Sequence, residues 1–207
     1  MLFLLLFFAQ GFSDCNPQAN SCGYYDQCLE RAFPCEDNGY SLSYGKKYCQ
    51  KYLSLNTENS VSLFSLSPKG KIWRDHTLLC LQEELHKQWL GSGFASCEDL
   101  TQYAFDSHPG CYTQSNPSFC DLKYSDWLLV TSVVDGRDLF SLKSAKQISK
   151  VALTCSTHII RSLEKTDQLL RYKSQGPLRR ERLLSEKKDL ELKLEYIQKL
   201  KKQNSSN

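Results

Sequence analysis

Residues 67–93, SPKGKIWRDHTLLCLQEELHKQWLGSG, decide the fold class. Ser67 stands directly before Pro68, and that order reads as the start of a helix. A serine hydroxyl accepts one of the first unpaired backbone N–H groups, and proline loses nothing at the first helical position because its missing N–H would have had no partner there. Ile72, Trp73, Leu79, Cys80 and Trp89 then recur, with Glu83 among them, at spacings that predict a buried stripe through about Leu90. Gly91-Ser92-Gly93 stops it. The pattern makes this the longest helix of the domain.

The neighbouring segments read the same way. Ser96 caps a helix that runs from Cys97 to about Asp106, with Glu98 and Asp99 in the first turn where the helix dipole favours negative charge. His108-Pro109-Gly110 is expected to end it, with His108 as a turn residue. Ser125 or Asp126 opens a short helix through Val134. Asp138 opens another to about Cys155, with Leu139, Phe140, Leu142, Ile148, Val151 and Leu153 available for burial. Two more helices are expected upstream, over 23–32 and 44–55. No segment shows the sustained alternation of a strand, so the fold class is all-α.

Ten cysteines place this helical domain in an oxidising compartment: Cys15, Cys22, Cys28, Cys35, Cys49, Cys80, Cys97, Cys111, Cys120 and Cys155. An even set at this density predicts a disulfide framework, and the absence of any Cys-x-x-Cys pair disfavours zinc. The start of the chain agrees. Leu2 to Phe8 is an unbroken apolar run, too short for a membrane span, and the small residues Ala9, Gly11 and Ser13 offer cleavage after Gly11 or Ser13. Residues 1–13 read as a signal peptide. No later stretch approaches the roughly 20 apolar residues of a membrane helix, so the mature protein is expected to be secreted, soluble and without a membrane span. Short helices are marginal alone, and each disulfide between them contributes about 2–4 kcal/mol.

The cysteines also mark the domain. All ten fall within 14–155, which reads as a disulfide-stapled helical domain, whereas 156–207 is a cysteine-free tail without tryptophan or phenylalanine. Residues 171–207 hold 11 Lys+Arg against 5 Asp+Glu, and the whole chain carries only +3, so a mildly acidic head of −3 is joined to a tail of +6. Few core residues are expected beyond Gly176. In the tail, Leu183, Leu190, Leu194 and Ile197 follow spacings of seven, four and three, with Lys187 interrupting this fragment of a heptad seam. A solvated, partly ordered helix is the plainest reading. Self-association is a second, and contact of the basic side chains with a sulfated glycosaminoglycan is a third. Nucleic acid is not an expected partner in this compartment. Arg179-Arg180 offers a dibasic processing site.

Residues that could carry chemistry are sparse. His76 and His86 stand on one helix about 80° off a common face, which makes them poor co-ligands; His108 and His158 lack neighbours in sequence. A phospholipase A2 scaffold needs a His-Asp pair beside paired cysteines, and no histidine precedes Asp26. The acidic pairs Glu36-Asp37, Glu83-Glu84 and Glu98-Asp99 lack the glycine-turned oxygen loop of a calcium site and read as solvated charge. Tyr24, Tyr25, Tyr40, Tyr44, Tyr48 and Tyr52 make the N-terminal third aromatic; packing around disulfides is their plainer use, a recognition surface the other. No catalytic residue, metal ligand or cofactor is expected.

The series Cys15, Cys22-Gly23-Tyr24-Tyr25-Asp26-Gln27-Cys28-Leu29-Glu30, Cys35, Gly39-Tyr40, Cys49, Lys69-Gly70-Lys71, Leu79-Cys80, Cys97 and Cys111-Tyr112 resembles the stanniocalcins, secreted helical glycoprotein hormones. The spacings Cys97 to Cys111 and Cys120 to Cys155 are similar to theirs as well. The resemblance implies pairing of Cys15 with Cys28, Cys22 with Cys49, Cys35 with Cys97, Cys80 with Cys111, and Cys120 with Cys155. It also implies hormone-like control of calcium and phosphate homeostasis and, for some members, inhibition of pappalysin metalloproteinases. The chain departs from the family in two ways. No cysteine follows Cys155, so a covalent homodimer is not expected. The family's glycosylation site near Cys-Leu-Glu is missing, and the sequon Asn204-Ser205-Ser206 stands instead at the far end of the tail. The expected protein is an extracellular signalling or inhibitory molecule that binds a receptor or metalloproteinase and is not an enzyme. A secreted ligand- or lipid-binding helical domain is the alternative, followed by a phospholipase-A2-like scaffold.

Overall fold

Serine caps set the starts of three of the four longest helices. In the computed structural model, which describes residues 15–55, 65–139, 141–172 and 176–204, helix α1 begins as a π-helical stretch, Tyr24–Leu29, and continues as Glu30–Ala32. Helix α2 repeats this form, with Ser41–Lys46 leading into Lys47–Ser54. Then come α3 (Pro68–Gly91), α4 (Cys97–Thr113), a 3-10 turn (Phe119–Asp121), α5 (Tyr124–Ser132), α6 (Gly136–Leu139), α7 (Leu142–Arg171) and α8 (Pro177–Asn204). The protein is 78% helical, with no strand among the described residues, so the all-α, disulfide-stapled architecture is the observed one. The signal peptide at 1–13, Phe140, the side chains of Leu139, Leu142 and Asn204, and Ser205 and Ser206 of the sequon lie outside the described residues.

Ser67 caps α3 by accepting from the Gly70 N–H, Ser96 caps α4 by accepting from the Asp99 N–H, and Ser141 caps α7 by accepting from the Ser144 N–H. Several expected boundaries move. Helix α4 does not stop at His108-Pro109-Gly110 but carries Pro109 inside it to Thr113. A proline in a helix forfeits one backbone bond; here the following turn is anchored by the Cys80–Cys111 disulfide. Asp126 is not a surface helix start, since it is buried and accepts from both the Ser67 N–H (2.8 Å) and the Ser67 hydroxyl (2.6 Å). It thereby extends the cap of α3 from a different helix. Helix α7 starts after Ser141, not at Asp138, and passes Cys155 to reach Arg171, so the boundary expected at residue 155 falls inside a continuous helix. At 30 residues it exceeds the 24 of α3, which is not the longest.

The buried stripe of α3 is Trp73, Arg74, Thr77, Leu78, Leu81, Gln82 and Leu85, whereas Ile72 is 49% exposed and Leu79 is half-buried. The stripe is thus rotated by one residue and includes polar members. Gln82 is buried because its amide donates to the Ser21 carbonyl (2.9 Å) and its carbonyl accepts from the Gln18 N–H (3.2 Å), tying down the segment before α1.

Two apolar clusters result. The first is built from Tyr24, Tyr25, Leu29, Tyr40, Leu78, Leu85, Leu100 and Phe105; the second from Trp73, Phe119, Leu122, Trp127, Val130, Ala152, Ile159, Leu190 and Ile197. Helix α3 feeds both, with Leu78 and Leu85 in the first and Trp73 in the second. Five disulfides join Cys15 to Cys28, Cys22 to Cys49, Cys35 to Cys97, Cys80 to Cys111 and Cys120 to Cys155, with Cα–Cα distances of 5.0 to 5.8 Å. These partners coincide with those implied by the resemblance.

Helix α8 is not a solvated appendage. It returns antiparallel along α7, with Lys187 Nζ 2.8 Å from Asp167 and the Arg180 guanidinium donating to the Leu170 carbonyl. Leu183, Leu190 and Ile197 are buried, so the seam read in the tail is filled within the chain, by α7 and α5. Lys193 is 3% exposed; its ammonium donates to the Leu122 carbonyl at 2.7 Å, pairs with Asp189 at 3.0 Å and lies 5.7 Å from the centroid of the Trp127 ring. No helix among the described residues is long and apolar enough to cross a membrane.

Candidate functional site

The seam between the two clusters is not filled. An apolar cavity of about 120 Å³ lies there, with walls supplied by both clusters: Tyr25, Tyr40 and Leu78 from the first, Trp73, Trp127 and Ile197 from the second. Close backbone approach makes the wall on the α1–α2 side. A Cβ at Gly45 would stand 2.5 Å from the Tyr25 ring, so only glycine lets α2 lie against that ring.

Several polar side chains border this space, among them His108, Gln147, Ser144 and Thr131. The His108 imidazole is fully buried, with Nδ1 3.2 Å from Gln147 Oε1 and Nε2 3.0 Å from the Tyr40 hydroxyl. An amide oxygen can only accept, so Nδ1 carries the proton and Nε2 accepts from Tyr40. Burial pushes the histidine down to about 4, partly opposed by the bond to Gln147, so the ring is neutral at pH 7. Burial raises Tyr40 and Tyr112 well above the ordinary phenol range. Tyr44 is raised for the same reason, against a bond to Ser144. The neutral imidazole, the amide and the phenols satisfy one another. They form a structural joint between α4, α2 and α7.

The tyrosines singled out in the sequence pack inward. Tyr24, Tyr25, Tyr40 and Tyr48 are buried, while Tyr44 and Tyr52 are half-buried. Tyr44 stacks on His108 at a centroid distance of 5.9 Å. Tyr48 donates to Asp138, which also receives Lys47 at 2.9 Å, and Asp135 receives Lys47 and Lys51 at 2.6 and 2.5 Å. This network fixes α2 to α6. Desolvation and the bond to Asp138 raise Tyr48 to about 12, and the flanking lysines hold Asp135 well below the carboxylate range.

The other histidines are scattered. His76 bonds the Asn116 carbonyl at 3.1 Å on the surface, and His86 packs edge-on against Tyr24 and Trp89. His158 and Asp121 form a solvent-accessible pair at 3.0 Å. Asp121 also closes the capping box of the 3-10 turn, and the nearby hydroxyls of Thr154 and Thr157 are bonded to carbonyls one turn back on α7. Glu36, Asp37, Glu83, Glu98 and Asp99 are exposed, and among the described residues no group of three or more His, Cys, Asp or Glu side chains gathers as a metal site.

Sequence reasoning missed His108 and Asp126 as core residues, and it missed Gln147 and Lys193 altogether. A histidine before Pro-Gly carries a turn signal; its burial is decided by α2 and α7, far away in sequence. Searches against family descriptions, curated proteins and solved structures find nothing that matches this chain.

Proposed function

We propose that this protein is a secreted, hormone-like binding protein of the stanniocalcin type, which acts on an extracellular receptor or metalloproteinase by stoichiometric contact and not by bond chemistry. The observation that carries this reading is the five-disulfide helical framework, whose partners are those the resemblance implies. The buried polar clusters fit it, because their donors and acceptors are used to hold helices together. Control of calcium and phosphate transport belongs to this reading as its physiological setting. Arg179, Arg180, Arg182 and Lys188 are exposed along α8 and would supply contact with a sulfated glycosaminoglycan. Titration of the oxidised protein against a pappalysin-type metalloproteinase, with capture of partners from extracellular fluid in parallel, tests the proposal. A saturable one-to-one complex is expected. Absence of any saturable protein partner, or turnover of a phospholipid or peptide substrate, would overturn it.

The cavity favours a second reading, in which the domain carries a small apolar ligand and presents a surface that depends on it. Its aromatic walls and neutral lining are what such a site requires.

A further inference from the structure

We propose that the cavity between the clusters is a binding site for a small uncharged molecule the size of one aromatic ring, and that it discriminates against carboxylates. This rests on the ligand-carrying reading above and names the ligand class. Three observations support it. The first is size. A void of about 120 Å³ compares with a dry engineered cavity of about 150 Å³ that accepts benzene.

The second is the chemistry of the lining. No Asp, Glu, Lys or Arg borders the cavity among the described residues, so an anionic or cationic head group would lose its hydration without gaining a partner. Several heteroatoms of the aromatic lining are already engaged elsewhere. The Tyr52 hydroxyl donates to the Val130 carbonyl at 3.0 Å, the Trp73 indole N–H to the Tyr112 carbonyl at 3.1 Å, and the Trp127 indole N–H to the Phe119 carbonyl at 2.8 Å. His108 is closed off by Tyr40 and Gln147. What these side chains offer the cavity is ring surface, which suits an aromatic guest in edge or offset contact.

The third is that the walls are held apart. Cys49 and Cys155 both line the cavity, and each is half of a disulfide, Cys22–Cys49 and Cys120–Cys155. An unsupported void shrinks by relaxation of its surroundings; here one wall is bonded to the segment before α1 and the other to the 3-10 turn. Val134 and Leu200 in the lining are only half-buried, which brings part of the lining to the surface.

Toluene, benzoate and octanoate distinguish the outcomes when each is titrated into the oxidised full chain, followed by thermal unfolding and by methyl NMR. Toluene is expected to bind saturably, at least tenfold more tightly than benzoate, to raise the midpoint, and to shift the methyl signals of Ala152, Val130 and Ile197 while leaving Leu100 and Ala104 in place. Ala152→Leu should fill the space and weaken toluene at least tenfold. If that variant does not fold, the toluene–benzoate contrast and the pattern of shifted methyls in the unaltered protein decide alone. Binding of benzoate or octanoate as tight as that of toluene overturns the neutral-ring class but leaves an apolar-ligand site standing. Failure of all three probes to bind, or toluene shifts outside the lining, overturns both.

Discussion

The two apolar clusters reach the same degree of burial by different means. Around the first, Cys15–Cys28, Cys22–Cys49 and Cys35–Cys97 cross-link the segments that form it. The second contains a single staple, Cys120–Cys155, and is otherwise closed by the α7–α8 hairpin and by polar clamps such as Ser67 on Asp126 and Lys193 on the Leu122 carbonyl. A cross-link acts mainly on the unfolded chain, while a packed helix must be matched side chain by side chain. The first cluster is therefore specified by sulfur and the second by shape, and the two should respond differently to loss of chain, of sulfur and of charge.

The largest expected difference comes from ending the chain after Gly176. This removes Leu183, Leu190 and Ile197, each worth about 1.5–3 kcal/mol when fully buried, together with the Lys193 bonds. The thermal midpoint should fall by about 15 °C or more, on the basis of about 2–4 °C per kcal/mol for a chain of this length. Hydrogen exchange should show protection lost in α5 and α7 but retained in α1 and α2. Equal loss in both regions would remove the distinction.

Paired cysteine substitutions give a smaller contrast. Cys120→Ser with Cys155→Ser opens a separation of 35 residues and is expected to cost about 4 kcal/mol, whereas Cys15→Ser with Cys28→Ser opens 13 and should cost about 3 kcal/mol. The gap widens further if the remaining staples hold the first cluster in place. Urea unfolding of the two double variants measures it, and the reverse order would mean that the remaining staples do not hold the first cluster in place.

Acid sharpens the comparison at the seam. The folded-state value of His108 is depressed to about 4 from an ordinary 6.5, so as pH falls the unfolded chain takes up the proton first. Stability should be complete above about pH 6.5 and decline until pH 4, by up to about 3 kcal/mol, with no further contribution from this group below that. The network of Asp135 and Asp138, whose folded values are lowered by Lys47, Lys51 and Tyr48, is lost only at lower pH, as those carboxylates protonate. His108→Gln should flatten the stability profile between pH 6.5 and 4 and leave the more acidic phase intact.

Local chemistry was readable in the sequence and distant chemistry was not. Ser67-Pro68 and the Ser96 cap announce helices because a cap involves residues three apart. Pro109 misleads because its penalty is local while its compensation, the disulfide from Cys111 to Cys80, is not. The spacing of Leu183, Leu190 and Ile197 reveals an apolar face but not what covers it, and its occupant is α7 of the same chain. Lys193 shows no sequence sign of burial; its three-way setting is assembled from the 3-10 turn, Asp189 and Trp127. The cavity is the least legible feature, since a void has no residues of its own.

Helix α8 follows every cysteine in chain order. A chain that emerges from its N-terminus first therefore presents these ten thiols before the helix that completes the second cluster is available. Before α8 docks, the apolar surface around Cys120 and Cys155 lacks Leu190 and Ile197. This sulfur-free helix is thus the last of the described elements to become available for burying the Cys120–Cys155 bridge.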